Sequence, residues 1–289
     1  MTPEDYCYNL AATPGSDFRY SLLGLSLERR RVLTAVQAFC IETTRIIDEC
    51  RDSSVARTKL DWWRGELDRL FADEPRHPVT RALQPRLVTF NLPEEYFREI
   101  LDGVEMDLDY DAYPDFAALS LYVHRRGSVL ALLVAEILDY RDRRATPRFA
   151  HEAGAMLLLL ELLCDVRQHA QHGRFYLPEE EMERYGVHPG DLLAAQTTDR
   201  VRQLFAVQAE RIGEYYRRAS DFLPDVDRCT QSPLLIRLEL AMALLAEIAE
   251  DGYRLLEQRI HLTPLRKLWL AWRLRRREKR RYGFLTVTE

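Results

Sequence analysis

Glycine and proline are scarce in this chain of 289 residues, which contains 12 glycines and 13 prolines. The chain also lacks any long alternation of polar and apolar residues, which argues against a β-rich or a disordered protein. Its five cysteines form no CxxC pair and are typical of reduced thiols in a cytoplasmic protein. Residues 1–17 carry no basic stretch followed by an apolar core, so we expect no signal peptide.

Long uninterrupted apolar stretches are also missing. The longest, near residues 154–164, is broken by Glu161 and is too short to span a bilayer. What the chain does have is 3.6-residue periodicity along most of its length, with serine caps expected at Ser26 and Ser53. We therefore predict an all-α protein with one domain at residues 1–263, followed by a basic amphipathic helix and tail at 264–289.

Charge is distributed unevenly along the chain. The net charge is −5, yet residues 266–281 hold nine Lys/Arg against the single acid Glu278, which leaves about −13 for the remainder. In the segment "LRKLWLAWRLRRREKRR", leucines and two tryptophans are interleaved with these bases. This pattern favours binding to an anionic membrane surface through residues 264–281. A solvated helix docked on the domain is the main alternative, and a nucleic-acid patch is the least favoured.

A candidate site lies in "LLLLELLCDVRQHAQHGRFYLP", residues 157–178. Glu161, Asp165 and His169 are spaced four residues apart, so on a continuous helix they share one face. Carboxylates and an imidazole aligned in this way are able to bind a metal ion. They are equally consistent with ion-paired polar groups facing a pocket.

Several blocks of the sequence resemble the squalene/phytoene synthase family, in particular its bacterial phytoene and presqualene diphosphate synthases. The blocks stand in the family order and span nearly the whole chain. They are "PGSDFRYSLLGLSLERRRVLTAVQAFC", "ARTKLDWWRGELDRLF", "HPVTRAL", "DGVEMDL", "GRFYLP" and "DGYRLLEQRIHLTPLRKLWLAWR".

This resemblance implies a single-domain class I isoprenoid (prenyl) synthase fold, all-α, with a central pocket between helices. Two isoprenyl diphosphates would condense head to head there, on Mg²⁺ ions held by aspartates from two facing helices. The resemblance also implies Phe18, Arg174 and Tyr176 as substrate-binding positions. The alternative for these three residues is a role in packing and folding alone.

The sequence departs from the family at the positions that carry this chemistry. In the first motif, roughly Arg-x-x-Asp-Asp-x-x-Asp, the matching residues are Ile41, Thr44, Arg45 and Asp48. In the second, roughly Gln-x-x-Asn-x-x-Arg-Asp-x-x-x-Asp, they are Leu158, Glu161, Cys164, Asp165 and His169. Asp48 and Asp165 are therefore the remnants of the two aspartate pairs. A third departure is "YVHRRG" (122–127), where Arg125 and Arg126 replace small or apolar residues.

Two functional hypotheses follow from these departures. The first is a catalytically inactive accessory, assembly or isoprenoid-binding protein at the membrane surface, with no cofactor. In it, Arg45 would replace the missing metal as counter-charge to the remaining pocket carboxylates. The alternative is an active head-to-head prenyl transferase with altered metal ligation. It would use Mg²⁺, or Zn²⁺, Mn²⁺ or Fe, on a set drawn from Asp48, Glu49, Glu161, Asp165 and His169.

The expected partners follow from the same two hypotheses. They are an isoprenoid or lipid ligand, the membrane surface, and a protein such as an active synthase or a membrane complex; nucleic acid is not expected. We expect the protein in the cytoplasm, with peripheral binding to the inner face of the cytoplasmic membrane as the more specific hypothesis.

Overall fold

A computed structural model describes residues 1–50 and 52–283, so residues 284–289 of the predicted C-terminal tail lie outside the described residues. The first helices are α1 (Pro3–Ala11), α2 (Asp17–Ser21), α3 (Leu27–Glu49), α4 (Ser53–Phe71), α5 (Pro78–Leu83), α6 (Glu94–Asp109) and α7 (Phe116–Val123). The others are α8 (Val129–Leu138), α9 (Ala145–Cys164), α10 (Val166–Gln171), α11 (Glu179–Arg184), α12 (Asp199–Phe222), α13 (Ser232–Glu250) and α14 (Pro264–Tyr282). A π-helical segment, His124–Ser128, joins α7 to α8, and short 3₁₀ turns occupy some loops.

The helices begin where side chains satisfy their free backbone N–H groups. Ser26 caps α3 as predicted, whereas Asp52, one residue before the predicted Ser53, caps α4. Thr198 and Thr263 do the same for α12 and α14. The described residues contain no β-strand, only an isolated bridge between Ala112 and Phe175. The predicted all-α class is thereby confirmed.

Two groups of buried apolar residues form the interior of the described fold. One joins α1–α6 to α8 and includes Phe39 and Phe97, whose rings meet edge to face at 5.3 Å. The other joins α7, α9 and α12–α14 and includes Phe149 and Phe205. Helix α8 contributes to both groups, Val129 and Leu133 to the first and Ala131 and Ala135 to the second, so the two halves of the fold meet along this helix.

A close crossing of two backbones positions the π-helical segment. A Cβ atom on Gly154 of α9 would lie 2.3 Å from the carbonyl oxygen of Gly127, so neither helix tolerates a side chain at this point. On the opposite side, a Cβ on Gly103 of α6 would lie 2.8 Å from Cδ of Arg126. These glycines create the room in which the Arg126 side chain enters the interior between α3, α6 and α9.

Helix α14 packs along the body instead of extending away from it. Its residues Leu270, Ala271 and Leu274 are buried against the C-terminal half of the fold. Glu278 is also buried and accepts hydrogen bonds from Arg228 at 2.8 Å and Arg277 at 2.9 Å. In the described part of the chain, no helix has both the length and the apolar character needed to cross a membrane.

Candidate functional site

A cavity of about 240 Å³ opens between α9, α13 and the loop at residues 259–262, and α2 and α14 complete its wall. Its apolar wall consists of Leu157, Leu160, Ala241, Leu244, Ile260 and Leu262. Its charged groups are Asp17, Glu161, Asp165, Arg237, Arg259 and Lys267, joined by Cys164 and His261. An apolar chamber with a few convergent polar groups has the general form of a small-molecule site.

Two ion pairs close the rim of this cavity. Asp165 Oδ1 lies 2.7 Å from Arg259 Nη2, and Asp17 Oδ1 lies 2.8 Å from Lys267 Nζ. Burial raises the pKa of Asp165, while the neighbouring Arg259 lowers it. The carboxylate of Asp165 is therefore already neutralised by an arginine of the protein itself.

Glu161 and Arg237 face the same cavity from α9 and α13. Within the described residues, neither side chain makes a hydrogen bond or an ion pair shorter than 4 Å. Glu161 is exposed to the water of the cavity, and Arg237 is half-buried. Burial raises the pKa of Glu161 and lowers that of Arg237, and each charge partly offsets this effect on the other.

Arg126 reaches the interior beside the cavity from the π-helical segment. Its Nη2 donates to Thr44 Oγ1 at 2.5 Å, at the position where the first motif would carry an aspartate. Its charge lowers the pKa of both Asp107 and Glu161, in each case against a larger upward effect of burial. Arg126 thus places a fixed positive charge between the helices that carry the two motif remnants.

The location of Arg45 differs from the one predicted. Its side chain is 47% exposed and pairs with Glu42 on the same helix at 3.6 Å. Thr44 faces Arg126 in the interior, and the next residue along a helix is turned about 100° away. The counter-charge expected from Arg45 is supplied instead by Arg126, Arg237 and Arg259.

The row of Glu161, Asp165 and His169 does not form one continuous face. Helix α9 ends at Cys164, and Asp165 adopts φ −101° and ψ 14° before α10 begins. The His169 ring packs edge-on against Tyr176 at 4.8 Å, away from the cavity. Burial, with Arg174 nearby, lowers its pKa to about 4, so the imidazole is neutral at physiological pH.

The five candidate metal ligands therefore occupy three separate places. Glu161 and Asp165 share the cavity, His169 lies behind it, and Asp48 and Glu49 are exposed near the end of α3. Across residues 1–50 and 52–283, no three His, Cys, Asp or Glu side chains converge closely enough to hold a metal ion. This arrangement does not fit the near-octahedral oxygen ligation that Mg²⁺ requires.

The "GRFYLP" turn ties together helices that are distant in sequence. The Tyr176 hydroxyl donates to Asp107 Oδ1 at 2.6 Å, and the Tyr122 hydroxyl donates to Asp107 Oδ2 at 3.2 Å. Arg174 donates to the carbonyl of Ile47 at 3.3 Å. These contacts support the folding role considered for the turn.

Phe18, the third substrate-binding candidate, is buried in the same group of apolar residues as Phe39 and Phe97. It does not line the cavity, although its neighbour Asp17 does. The residues that sequence reasoning missed are Arg237, Arg259 and Lys267. A signal for Arg237 was present, because it interrupts the apolar stretch at residues 233–236 of α13.

Comparison with known proteins shows which family this chain belongs to. The sequence model of the squalene/phytoene synthase family matches residues 4–266. The chain belongs to the squalene/phytoene synthase family. This confirms the family resemblance read from the sequence blocks.

Relatives in the squalene/phytoene synthase family are distant in sequence. The 15-cis-phytoene synthase of Synechocystis sp. is 27% identical over 282 residues, covering 93% of this chain and 84% of that protein. The chloroplastic phytoene synthase of an Oncidium hybrid cultivar is 26% identical over 269 residues, covering 91% of this chain. The chain spans 65% of the length of that plant protein.

Solved structures of squalene/phytoene synthases share the fold. The squalene synthase HpnC from Alicyclobacillus acidocaldarius matches with a TM-score of 0.73 and 25% identity, over 87% of this chain and 95% of that one. A dehydrosqualene synthase in complex with a ligand matches with a TM-score of 0.82 and 22% identity, over 96% and 97% of the two chains. These matches confirm the predicted isoprenoid synthase fold.

Proposed function

We propose that this member of the squalene/phytoene synthase family does not condense isoprenyl diphosphates and instead serves as an isoprenoid-binding accessory or assembly protein at a membrane surface. The observation that carries the proposal is the use of arginines where the family motifs imply metal ions. Arg259 neutralises Asp165, and Arg126 holds the hydroxyl of Thr44. A fixed guanidinium occupies the space and satisfies the charge that a bound cation would need.

The expected loss of rate and the volume of the cavity also favour an inactive site. Loss of one preorganised electrostatic contact costs about 10²–10³-fold in rate, and both motifs have lost such contacts. For Asp165 to bind a cation, it would first have to give up its 2.7 Å pair with Arg259. The cavity of about 240 Å³ is also small for two prenyl chains, since ligand sites generally measure about 300–1,000 Å³.

An assay of condensation tests the first part of this proposal. Purified protein is incubated with farnesyl or geranylgeranyl diphosphate and Mg²⁺, with Mn²⁺ and Zn²⁺ in parallel, and the hydrocarbon products are measured by mass spectrometry. We expect turnover at least about 10⁴-fold below that of an active family member assayed alongside, since two lost contacts combine. Turnover at a rate comparable to the active enzyme, with any of the three metals, contradicts the proposal and supports the altered-ligation alternative.

The exposed face of α14 supports the membrane part of the proposal. Leu265, Leu268, Trp269 and Trp272 are 80%, 45%, 51% and 53% exposed and follow the i, i+3, i+4, i+7 spacing of one helix stripe. Arg273 lies over the Trp269 ring at 4.5 Å, so aromatic and basic groups share this surface. Tryptophan beside arginine on an exposed helix face suits the interface of an anionic bilayer.

Vesicle flotation tests this surface. Wild-type protein should float with vesicles containing phosphatidylserine and less with phosphatidylcholine alone, and added salt should weaken binding. The double variant Trp269→Ser, Trp272→Ser should lose most of the bound fraction. Trp62→Ser, which removes an exposed tryptophan from α4, is the matched control and should bind like wild type. An equal loss of the vesicle-bound fraction in the double variant and in Trp62→Ser contradicts the assignment of this surface. Binding that does not depend on lipid charge contradicts it as well.

A further inference from the structure

The charges of the central cavity are balanced, and this restricts what it can bind. Its wall carries three acids, Asp17, Glu161 and Asp165, and three bases, Arg237, Arg259 and Lys267. Two of these acids and two of these bases neutralise each other directly in the rim ion pairs. One acid, Glu161 of α9, and one base, Arg237 of α13, have no ion pair or side-chain hydrogen bond within the described part of the chain.

Glu161 is exposed to the water in the cavity and Arg237 is half-buried, so a ligand that displaces this water must replace its hydrogen bonds. Taking a charged group out of bulk water is unfavourable unless hydrogen bonds replace the lost hydration. Glu161 offers an acceptor and Arg237 offers donors, and both face the same chamber. A ligand that both donates and accepts a hydrogen bond satisfies the two residues together.

An anionic head group fits this arrangement poorly. A diphosphate would gain Arg237 but would place its charge against Glu161 and near Asp165, which stands at the same rim. Arg126 is a further positive charge near the cavity. Its charge is already partly balanced by the carboxylate of the buried Asp107. Without divalent cations, the cavity therefore has no surplus positive charge with which to neutralise a diphosphate.

We propose that the cavity binds a single prenyl alcohol, whose hydroxyl accepts from Arg237 and donates to Glu161. The chain of the alcohol packs against the apolar wall formed by Leu157, Leu160, Ala241, Leu244, Ile260 and Leu262. The volume of about 240 Å³ leaves room for one such ligand at most. This inference rests on the proposed non-condensing, isoprenoid-binding function and specifies the class of its ligand.

Equilibrium binding of three probes tests the proposal on the full-length protein in EDTA. The probes are farnesol, farnesyl diphosphate, and farnesene, which has the same chain without the hydroxyl. We expect farnesol to bind about 10-fold more tightly than either of the others, because only farnesol completes both hydrogen bonds without adding charge.

Two variants separate recognition from folding. Arg237→Met should weaken farnesol about 10-fold and leave farnesene unchanged, since it removes the donor and keeps an apolar wall. Glu161→Gln keeps an acceptor and removes a negative charge, so farnesol should change less than about 3-fold, whereas farnesyl diphosphate should bind about 10-fold more tightly. Glu152→Gln, on the same helix but paired with Arg218 at 2.9 Å outside the cavity, is the matched control and should change none of the three.

Several outcomes would overturn the proposal. They are farnesene binding as tightly as farnesol, farnesyl diphosphate binding more tightly than farnesol in EDTA, or a loss in Arg237→Met that is equal for all three probes. If the protein neither condenses diphosphates nor binds farnesol, the prenyl-alcohol proposal is wrong, while the proposed non-condensing role is unaffected. Condensation in the turnover assay overturns that role, whatever farnesol does.

Discussion

Replacing Arg126 with methionine tests the idea that guanidinium groups compensate the buried carboxylates of this fold. Arg126 lies near Asp107, which is only 6% exposed and whose pKa burial raises and Arg126 lowers. No ion pair within 4 Å joins these two side chains in the described residues, so Arg126 acts on Asp107 through its charge alone. Removing that charge, together with the hydrogen bond to Thr44, costs about 1–3 kcal/mol. We expect a loss of this size in the free energy of unfolding. Methionine keeps an unbranched chain in the space beside Gly103.

The neighbouring residue provides a matched control. Arg125 belongs to the same π-helical segment but pairs with Glu99 at 3.0 Å, with both side chains partly exposed. Arg125→Met should cost less than about 1 kcal/mol, as is usual for surface ion pairs. Urea unfolding followed by far-UV circular dichroism measures both variants. In the double variant Arg126→Met, Asp107→Asn, the loss should be at least about 1.5 kcal/mol smaller than the sum of the single losses.

The pH dependence gives a second readout for this pair. A carboxyl group whose pKa is higher in the folded state than in the unfolded state favours folding at low pH and disfavours it as pH rises. Without Arg126 the pKa of Asp107 should rise further, so the deficit of Arg126→Met should be largest at neutral pH and shrink on acidification. A loss below about 1 kcal/mol, additive behaviour in the double variant, or a deficit independent of pH would refute the reasoning.

Three more predictions address the surroundings of the cavity. His169 should stay neutral in NMR titration until the pH approaches about 4; because this pKa lies below the ordinary 6.5, its stabilising contribution should be complete above 6.5 and lost as pH falls through 4. Gly154→Ala should cost about 2–3 kcal/mol in urea unfolding, because its Cβ would collide with the carbonyl of Gly127, whereas Gly213→Ala, with nothing within 4 Å, should stabilise by about 0.5–1 kcal/mol. Equal effects of the two alanines would contradict the close crossing. Tyr176→Phe should cost about 1.5–3 kcal/mol in the same assay, because a buried carboxylate loses its 2.6 Å donor, and a neutral result would contradict that hydrogen bond.

The helical architecture could be predicted closely because it depends on local information. Apolar periodicity, few glycines and prolines, and capping residues such as Ser26 act within one or two turns of chain. The family could be identified for the same reason, since its blocks are contiguous stretches. The error at Ser53 was one residue, and it arose because Asp52 competes for the same capping position.

The candidate site was harder to predict because small changes in backbone angle redirect side chains. Spacing by four placed His169 in line with Glu161, but the break at Asp165 turned the imidazole toward Tyr176. Arg45 was assigned to the interior from its motif position, whereas its helix directs it toward Glu42 and solvent. In each case the direction of the side chain, and not the identity of the residue, decided the role.

By itself, the sequence determined that this protein is helical and that it carries the blocks of a squalene/phytoene synthase. Only the tertiary structure decided which positive groups face the carboxylates of the cavity. Arg126, Arg237 and Arg259 come from a π-helical segment, a distant helix and a loop, and none of them is adjacent in sequence to the carboxylates it faces. Electrostatic interactions act through space over a few ångströms. They therefore depend on how distant segments pack together, which a local sequence pattern does not predict.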